Sequence, residues 1–315
     1  MGTYNRGVLV SEIGEFGLIR LLAQEFGIEY PPVRGALPDD GLMVGLGDDA
    51  VVTARRDGSL IWTTDTMVAG VHFLPGQSPW RDTGWKALAV NLSDIAAMGG
   101  TPYLALVTLT LPPAFSVEDA VELYRGLHEA ASAFDVTLGG GDIVRSPVFS
   151  ITVALSGWAQ TPRLGEAQVL TRGAARPGDV VAVSGTLGNS AGGVQLLTIG
   201  CEFKNEAEKY LRAAQQRPQP KVAMGQAAVR AGLRCGIDVS DGLVQDLGHV
   251  ATASNVTILI DAVRVPTSDA LRELFPAEAL GLALNGGEDY ELLVVGPRQA
   301  VDVLIETSET PVTMI

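Results

Sequence analysis

The sequence predicts an α+β protein of two domains, and three observations predict it. Its 315 residues exceed the roughly 100–200 of an ordinary single domain. Strand-length apolar runs alternate with amphipathic helical stretches in both halves. Residues 161–178 break that rhythm with Pro162, Gly165, Gly173, Pro177 and Gly178, the composition of a connection rather than of an element. The reading is an N-terminal α+β domain over residues 1–160 and a C-terminal α+β domain over residues 161–315.

The elements follow from local patterns. Phe16, Ile19, Leu22 and Phe26 recur at helical spacing and predict a helix over 14–26, followed by a Pro/Gly/Asp loop over 31–41. Leu42-Met43-Val44, Ala50-Val51-Val52 and Leu60-Ile61-Trp62 are short apolar runs bounded by Gly and Asp, and read as strands. Across 81–98, Trp85, Leu88, Leu92 and Ile95 fall on one helical stripe, with Asp94 almost opposite it, available to solvent or a ligand. A strand over 103–111 stops at Pro112-Pro113; a helix over 117–134 and a strand over 148–158 follow. In the second half, strands are expected at 179–184, 233–238, 256–260 and 290–295. Helices are expected near 194–199, 206–215, 221–231, 243–253 and 268–275.

Composition narrows the function. With 47% hydrophobic and 18% charged residues the chain can bury a sizeable core, and disorder is excluded. Lys+Arg is 22 against Asp+Glu 36, a formal net charge of -14, which repels phosphate backbones and anionic lipid. Nucleic acid and membrane surfaces are therefore not expected partners. An anionic ligand would need a local reversal of sign, for which bound divalent metal is the obvious agent. Cys201 and Cys235 are too few for a disulfide framework or a four-ligand zinc site, which points to a reducing cytoplasm. Residues 95–117 carry no charge, but Gly99, Gly100, Pro102, Pro112 and Pro113 exclude a membrane span.

The informative pattern is acid beside glycine. It occurs at Gly45-Leu46-Gly47-Asp48-Asp49, Gly140-Gly141-Asp142, Asp238-Val239-Ser240-Asp241-Gly242 and Gly286-Gly287-Glu288-Asp289. Thr63-Thr64-Asp65 reads as the acidic end of a buried strand, and Asp94 adds a carboxylate from a helix. Taken singly, the glycine-flanked acids read first as turns or helix caps, with Ser240 capping the helix that follows it, and Asp94 as a solvated helix face; Thr63-Thr64-Asp65 is less easily read that way. Recurrence on separate segments instead suits Mg²⁺ carrying a phosphate, since carboxylates are hard oxygen donors and glycine admits a ligand close to the backbone. No Gly-Lys pair exists in the chain, so there is no lysine-bearing phosphate loop.

The ordered motifs reach a family. They are Gly14-Glu15-Phe16, Gly45 to Ala50, and the run Thr-Thr-Asp-Thr-Met-Val-Ala-Gly-Val-His-Phe at 63–73. Lys-Ala-Leu-Ala-Val-Asn-Leu-Ser-Asp-Ile-Ala-Ala-Met-Gly at 86–99, Gly140-Gly141-Asp142 and Leu170-Thr171-Arg172 follow. Ile-Asp-Val-Ser-Asp-Gly-Leu at 237–243 and Gly-Gly-Glu-Asp-Tyr-Glu-Leu at 286–292 complete them. Over nearly the whole chain, and in order, this resembles the thiamine-monophosphate kinase family.

The resemblance implies a two-domain aminoimidazole-ribonucleotide synthetase-like α+β fold, with N-terminal domains that bind metal and ATP and pair in a homodimer. It implies ATP-dependent phosphorylation of thiamine phosphate to thiamine diphosphate. By motif, Asp49, Thr63, Thr64, Asp65, Asp94, Asp142, Asp238 and Asp241 would hold Mg²⁺ ions. Tyr124, Gly141, Asp142, Arg172 and Ser240 would contact ATP, and His72 and Glu288 thiamine phosphate. The family pattern includes an aromatic tail that closes on thiamine; 311–315 do not supply it, so part of the substrate pocket stays unassigned. The chemistry agrees with the residue inventory. A phosphate monoester, with its second pKa near about 6, supplies an anionic nucleophile. Direct in-line transfer then needs metals and positioning, with no covalent enzyme nucleophile and no general base.

Overall fold

The computed structural model describes residues 7–28, 42–44, 52–53, 58–163 and 166–315. The chain begins with α1 (Val10–Glu25), β1 (Leu42–Val44), β2 (Val52–Thr53), β3 (Leu60–Val68) and α2 (Trp80–Ala97). It continues through β4 (Thr101–Leu111), α3 (Val117–Ala133), β5 (Thr137–Arg145) and β6 (Ser150–Trp158). Next come β7 (Gln160–Arg163), β8 (Glu166–Gln168), β9 (Val180–Ser184), α4 (Asn189–Thr198), α5 (Glu206–Gln216) and α6 (Val222–Arg230). The last elements are β10 (Cys235–Asp238), α7 (Leu243–Ser254), α8 (Asp269–Leu274), α9 (Ala279–Asn285), β11 (Leu292–Gly296), α10 (Arg298–Thr307) and β12 (Val312–Met314).

Contacts divide the chain into two compact units. The first is built on Trp62–Asn91 and Pro102–Ser156 with the described residues before position 57; the second holds Gly58–Ile61, Leu92–Thr101 and Gly157–Ile315. The first unit centres on a four-stranded sheet of order β3-β6-β4-β5, with β4 and β5 parallel and Thr108 opposite Asp142. Leu88, Leu109, Leu123, Leu127, Ile151 and Leu155 make its buried interior. Phe73, Trp80, Phe115 and Phe149 form an aromatic cluster beside it, with ring centroids 4.7–5.9 Å apart. α3 starts cleanly because Ser116 Oγ accepts the Asp119 amide at 3.0 Å and two acids, Glu118 and Asp119, sit in its first turn. α1 is kinked at Gly14 (φ 70°), so its first four residues do not continue the line of the rest.

The second unit holds an antiparallel sheet of order β10-β11-β9-β12. Val183, Ile237, Val239, Leu243, Val250 and Leu293 are among its buried core. Leu196, Leu211 and Leu271 tie α4, α5 and α8 into a smaller cluster. β10 is buried along all four residues, which carries Asp238 at its end into the interior.

Three expectations are corrected. Residues 256–260 form no strand: Val256, Ile258 and Ile260 pack partly buried against the second unit's core, and alternation there serves packing without a partner strand. α4 begins at Asn189, ahead of the helix expected near 194–199, so Gly192 and Gly193 lie inside it. β3 runs on through Thr63-Thr64-Asp65 to Val68, so Asp65 is within a strand and not at its end; Asp142 is likewise within β5. The uncharged residues 95–117 are the end of α2, a turn, β4 and the approach to α3. No helix among the described residues is long and apolar enough to cross a membrane.

Candidate active site

In the first unit, strand alternation sorts the predicted ligands. Thr63 and Asp65 leave one face of β3 and are half-buried, whereas Thr64 leaves the other and is exposed. Asp142 lies on β5, where its Oδ1 accepts the Ile143 amide at 2.8 Å. β3 and β5 are the opposite edges of the sheet, so three strand spacings, about 14 Å, separate Asp65 from Asp142. The structure does not bring these two together within one copy of the chain.

Gly141 is needed where it stands, since a Cβ would overlap the Val107 carbonyl on β4. Tyr124 on α3 lines a cavity with Gly141, Asp142, Ile19, Leu22 and Phe26. Burial pushes its phenol up to about 12. His72 follows β3 in an exposed turn, where its Nδ1 accepts the Val68 amide at 3.0 Å. Asp49 lies outside the described residues.

In the second unit the predicted acids converge. Asp238 ends β10 at 3% exposure. Ser93 Oγ donates to its Oδ2 at 2.7 Å. Burial pushes its carboxyl up to about 7, and the negative field of Asp94 and of Asp246 adds to the rise, against the lowering hydrogen bond from Ser93. α2 is buried on every side from Thr83 to Ser93, and Ser93 and Asp94 on it lie beside the end of β10. Asp241, three residues on, is exposed. Among the described residues, no ion pair with Lys or Arg is made by Asp238.

The sequence reading missed Asp246. Ser240 does not cap α7; Asp246 Oδ2 instead accepts the amides of Ser240, Asp241 and Gly242 at 3.0–3.1 Å. One carboxylate thus folds the acidic turn back onto the helix that follows it. The available signal was the place of Asp246 four residues after Gly242, which opens α7 without a side chain to cap it. Asp241, Asp246 and His249 each offer a ligand atom within 4.8 Å of the others.

Ser240 also bridges the predicted ATP and substrate residues, since its carbonyl accepts the Glu288 amide at 2.8 Å. Gly287 stands against that carbonyl where a Cβ would overlap it. Glu288 is half-buried and has a left-handed backbone (φ 64°). Arg172 is exposed, and its carbonyl accepts Ser254 Oγ at 2.8 Å, which ties the Leu170-Thr171-Arg172 segment to the end of α7.

The family described as AIR synthase related protein, N-terminal domain, matches residues 47–159. Thiamine-monophosphate kinase of Escherichia coli O157:H7 is 41% identical over 310 residues, 96% of this chain and 89% of that protein. The chain belongs to the thiamine-monophosphate kinase family. Its fold matches a thiamine-monophosphate kinase from Stenotrophomonas maltophilia K279a with TM-score 0.80 and 37% identity, over 94% of this chain and 90% of that one. A second family structure, AaThiL complexed with AMPPCP and TMP, matches with TM-score 0.75 and 31% identity, over 100% of this chain and 92% of that one. The α+β expectation for this thiamine-monophosphate kinase family member therefore holds.

Proposed function

We propose that the chain transfers the γ-phosphoryl group of ATP to thiamine phosphate, giving thiamine diphosphate and ADP, with Mg²⁺ ions held by its acidic motifs. One observation carries the metal part of the reading. Asp238 is buried beside Asp94 and Asp246, and among the described residues Ser93 is the one side chain that donates to it; a desolvated cluster of this sign calls for a cation. The donors present are carboxylate and hydroxyl oxygens, which fit Mg²⁺ rather than a softer metal. Asp94, Asp238 and Asp241 would hold ions in the second unit, and Thr63, Thr64, Asp65 and Asp142 in the first, with Thr64 offering its backbone carbonyl; Asp49 completes the proposed set. Bound there, Mg²⁺ supplies charge neutralisation for two anions that must meet.

The protein's own residues orient the reactants. Tyr124 and Gly141 flank the ATP base, and Arg172 and Ser240 its phosphates. The cavity beside Tyr124 is narrow, about 50 Å³, against the roughly 300–1,000 Å³ usual for small-molecule pockets; on this reading the base enters by displacing α1. Glu288 and His72 hold thiamine phosphate. A phosphate oxygen of thiamine phosphate forms the new P–O bond as the bond to the β,γ-bridging oxygen breaks, in line, and ADP leaves with that electron pair.

The same reading makes the protein a homodimer. Asp65 and Asp142 lie on opposite edge strands, so a second copy laying its β5 along β3 would bring the two together, and would cover the exposed Trp62 and Val144. Residues 1–160 and 161–315 serve as the two domains. The activity belongs to the cytoplasm, where Cys201 and Cys235, both free, stay reduced. The test is an assay of purified protein with ATP, Mg²⁺ and a panel of phosphorylated acceptors. Thiamine diphosphate formation that vanishes on chelation supports the reading; a better turnover with any other acceptor overturns it.

A further inference from the structure

The turn that carries Glu288 is strained. Glu288 (φ 64°) and Tyr290 (φ 51°) both have left-handed backbones without being glycine, a conformation that crowds Cβ against the following carbonyl oxygen. Strain of this kind persists only where the surroundings over-determine it. Two backbone bonds help: the Glu288 amide to the Ser240 carbonyl at 2.8 Å, and the Tyr290 amide to the Val239 carbonyl at 2.9 Å. The side chain between them adds to these. Asp289 Oδ2 accepts the Gly188 amide at 2.5 Å and Oδ1 the Ser190 amide at 3.0 Å.

Those amides open α4, whose N-cap position is Gly188, a residue with no side chain to offer. Asp289 therefore caps α4 from about a hundred residues away, and both carboxylate oxygens are committed to the task. The cap and the strained turn are one device: α4 fixes Asp289, and Asp289 fixes its two neighbours. We propose that Asp289 is a positioning residue for thiamine phosphate, holding Glu288 in its left-handed conformation by accepting the Gly188 and Ser190 amides. The proposal rests on the reading of Glu288 as a substrate contact.

Asparagine at 289 keeps one acceptor oxygen but turns an NH₂ group toward the second amide. Asp289→Asn is expected to raise KM for thiamine phosphate at least about tenfold and to leave KM for ATP within about twofold. Asp289 also lines a cavity of about 400 Å³ with Tyr210, Arg217 and Lys221, so a direct substrate contact must be separated from action through Glu288. The double variant does this. If Asp289 acts through Glu288, Glu288→Gln/Asp289→Asn has the KM of Glu288→Gln alone; a direct contact multiplies the two effects and overturns the proposal. Asp289→Glu retains charge and capping ability but shifts the carboxylate by one methylene. A merely stabilising cap tolerates it, whereas a positioning one again raises KM for thiamine phosphate, and this variant serves if Asp289→Asn does not fold. Faster amide exchange at Glu288 and Tyr290 in folded Asp289→Asn or Asp289→Glu is the second readout. A normal KM in Glu288→Gln removes the substrate role of Glu288; a raised KM there with normal values in the Asp289 variants removes only the positioning role.

Discussion

Replacing Asp238 by asparagine should separate the cost of the acidic cluster from its use. The aspartate is 3% exposed and accepts one hydrogen bond from Ser93 at 2.7 Å. Its carboxyl is pushed from 3.8 up to about 7, by burial first, then by Asp94 and Asp246. Because the folded value lies above the unfolded one, the folded state binds more protons between about pH 4 and 7. Stability of the metal-free protein therefore falls as pH rises through that window, and at pH 8 the ionised group costs on the order of 4 kcal/mol. Asparagine has the same shape, still accepts from Ser93 and carries no charge. Metal-free Asp238→Asn should thus be the more stable protein at pH 8, by about 2–4 kcal/mol, and equal to the parent near pH 4. Asp289, which burial pushes up to about 7 as well, adds the same slope to both proteins. Added Mg²⁺ should reverse the order, since only the parent gains the full binding free energy. Urea denaturation of chelator-treated protein from pH 4 to 8, with and without MgCl₂, measures all of this. A variant less stable than the parent at pH 8 without metal, with an unchanged response to Mg²⁺, would refute the reasoning.

Asp65→Asn and Asp241→Asn should each lower turnover by at least about a hundredfold at limiting Mg²⁺, because a lost ligand removes several kcal/mol of transition-state stabilisation. Asp241 is exposed and Asp65 half-buried, so circular dichroism should find both variants folded, and near-normal turnover in both would contradict the metal assignment. Tyr124→Ala should raise KM for ATP about tenfold, the scale of a lost aromatic contact, with KM for thiamine phosphate unchanged in steady-state kinetics. Chiral γ-phosphorothioate ATP should give inversion at phosphorus; net retention, or enzyme labelled by ATP alone, would require a covalent intermediate. Sedimentation should find a dimer at micromolar concentration, and a fully active monomer would exclude completion of the site by a second copy.

Local sequence was enough for much of this protein. The helix stripe Trp85, Leu88, Leu92 and Ile95 specified α2 and set Asp94 apart from it, but did not show that Thr83, Lys86, Asn91 and Ser93 on its other sides are buried as well. Ordered acidic motifs named the family and the residues that gather at the end of β10. These signals are short-range: periodicity decides which side of an element is apolar, and a motif keeps its chemistry within a few residues. Tertiary structure alone decided the rest. Asp65 and Asp142 look alike in sequence as acids near a phosphate site, yet strand order puts them on opposite edges of one sheet, and strand order depends on crossovers that no local window contains. Asp246 and Asp289 read as ordinary acids on a helix and in a turn. Asp246 became the acceptor for three amides because the chain folds back over the end of β10. Asp289 became the cap of a helix a hundred residues away because β11 lies between β9 and β10. A backbone amide must find a partner once water is excluded, and which carboxylate reaches it is settled by packing between distant segments, not by their neighbours in the chain.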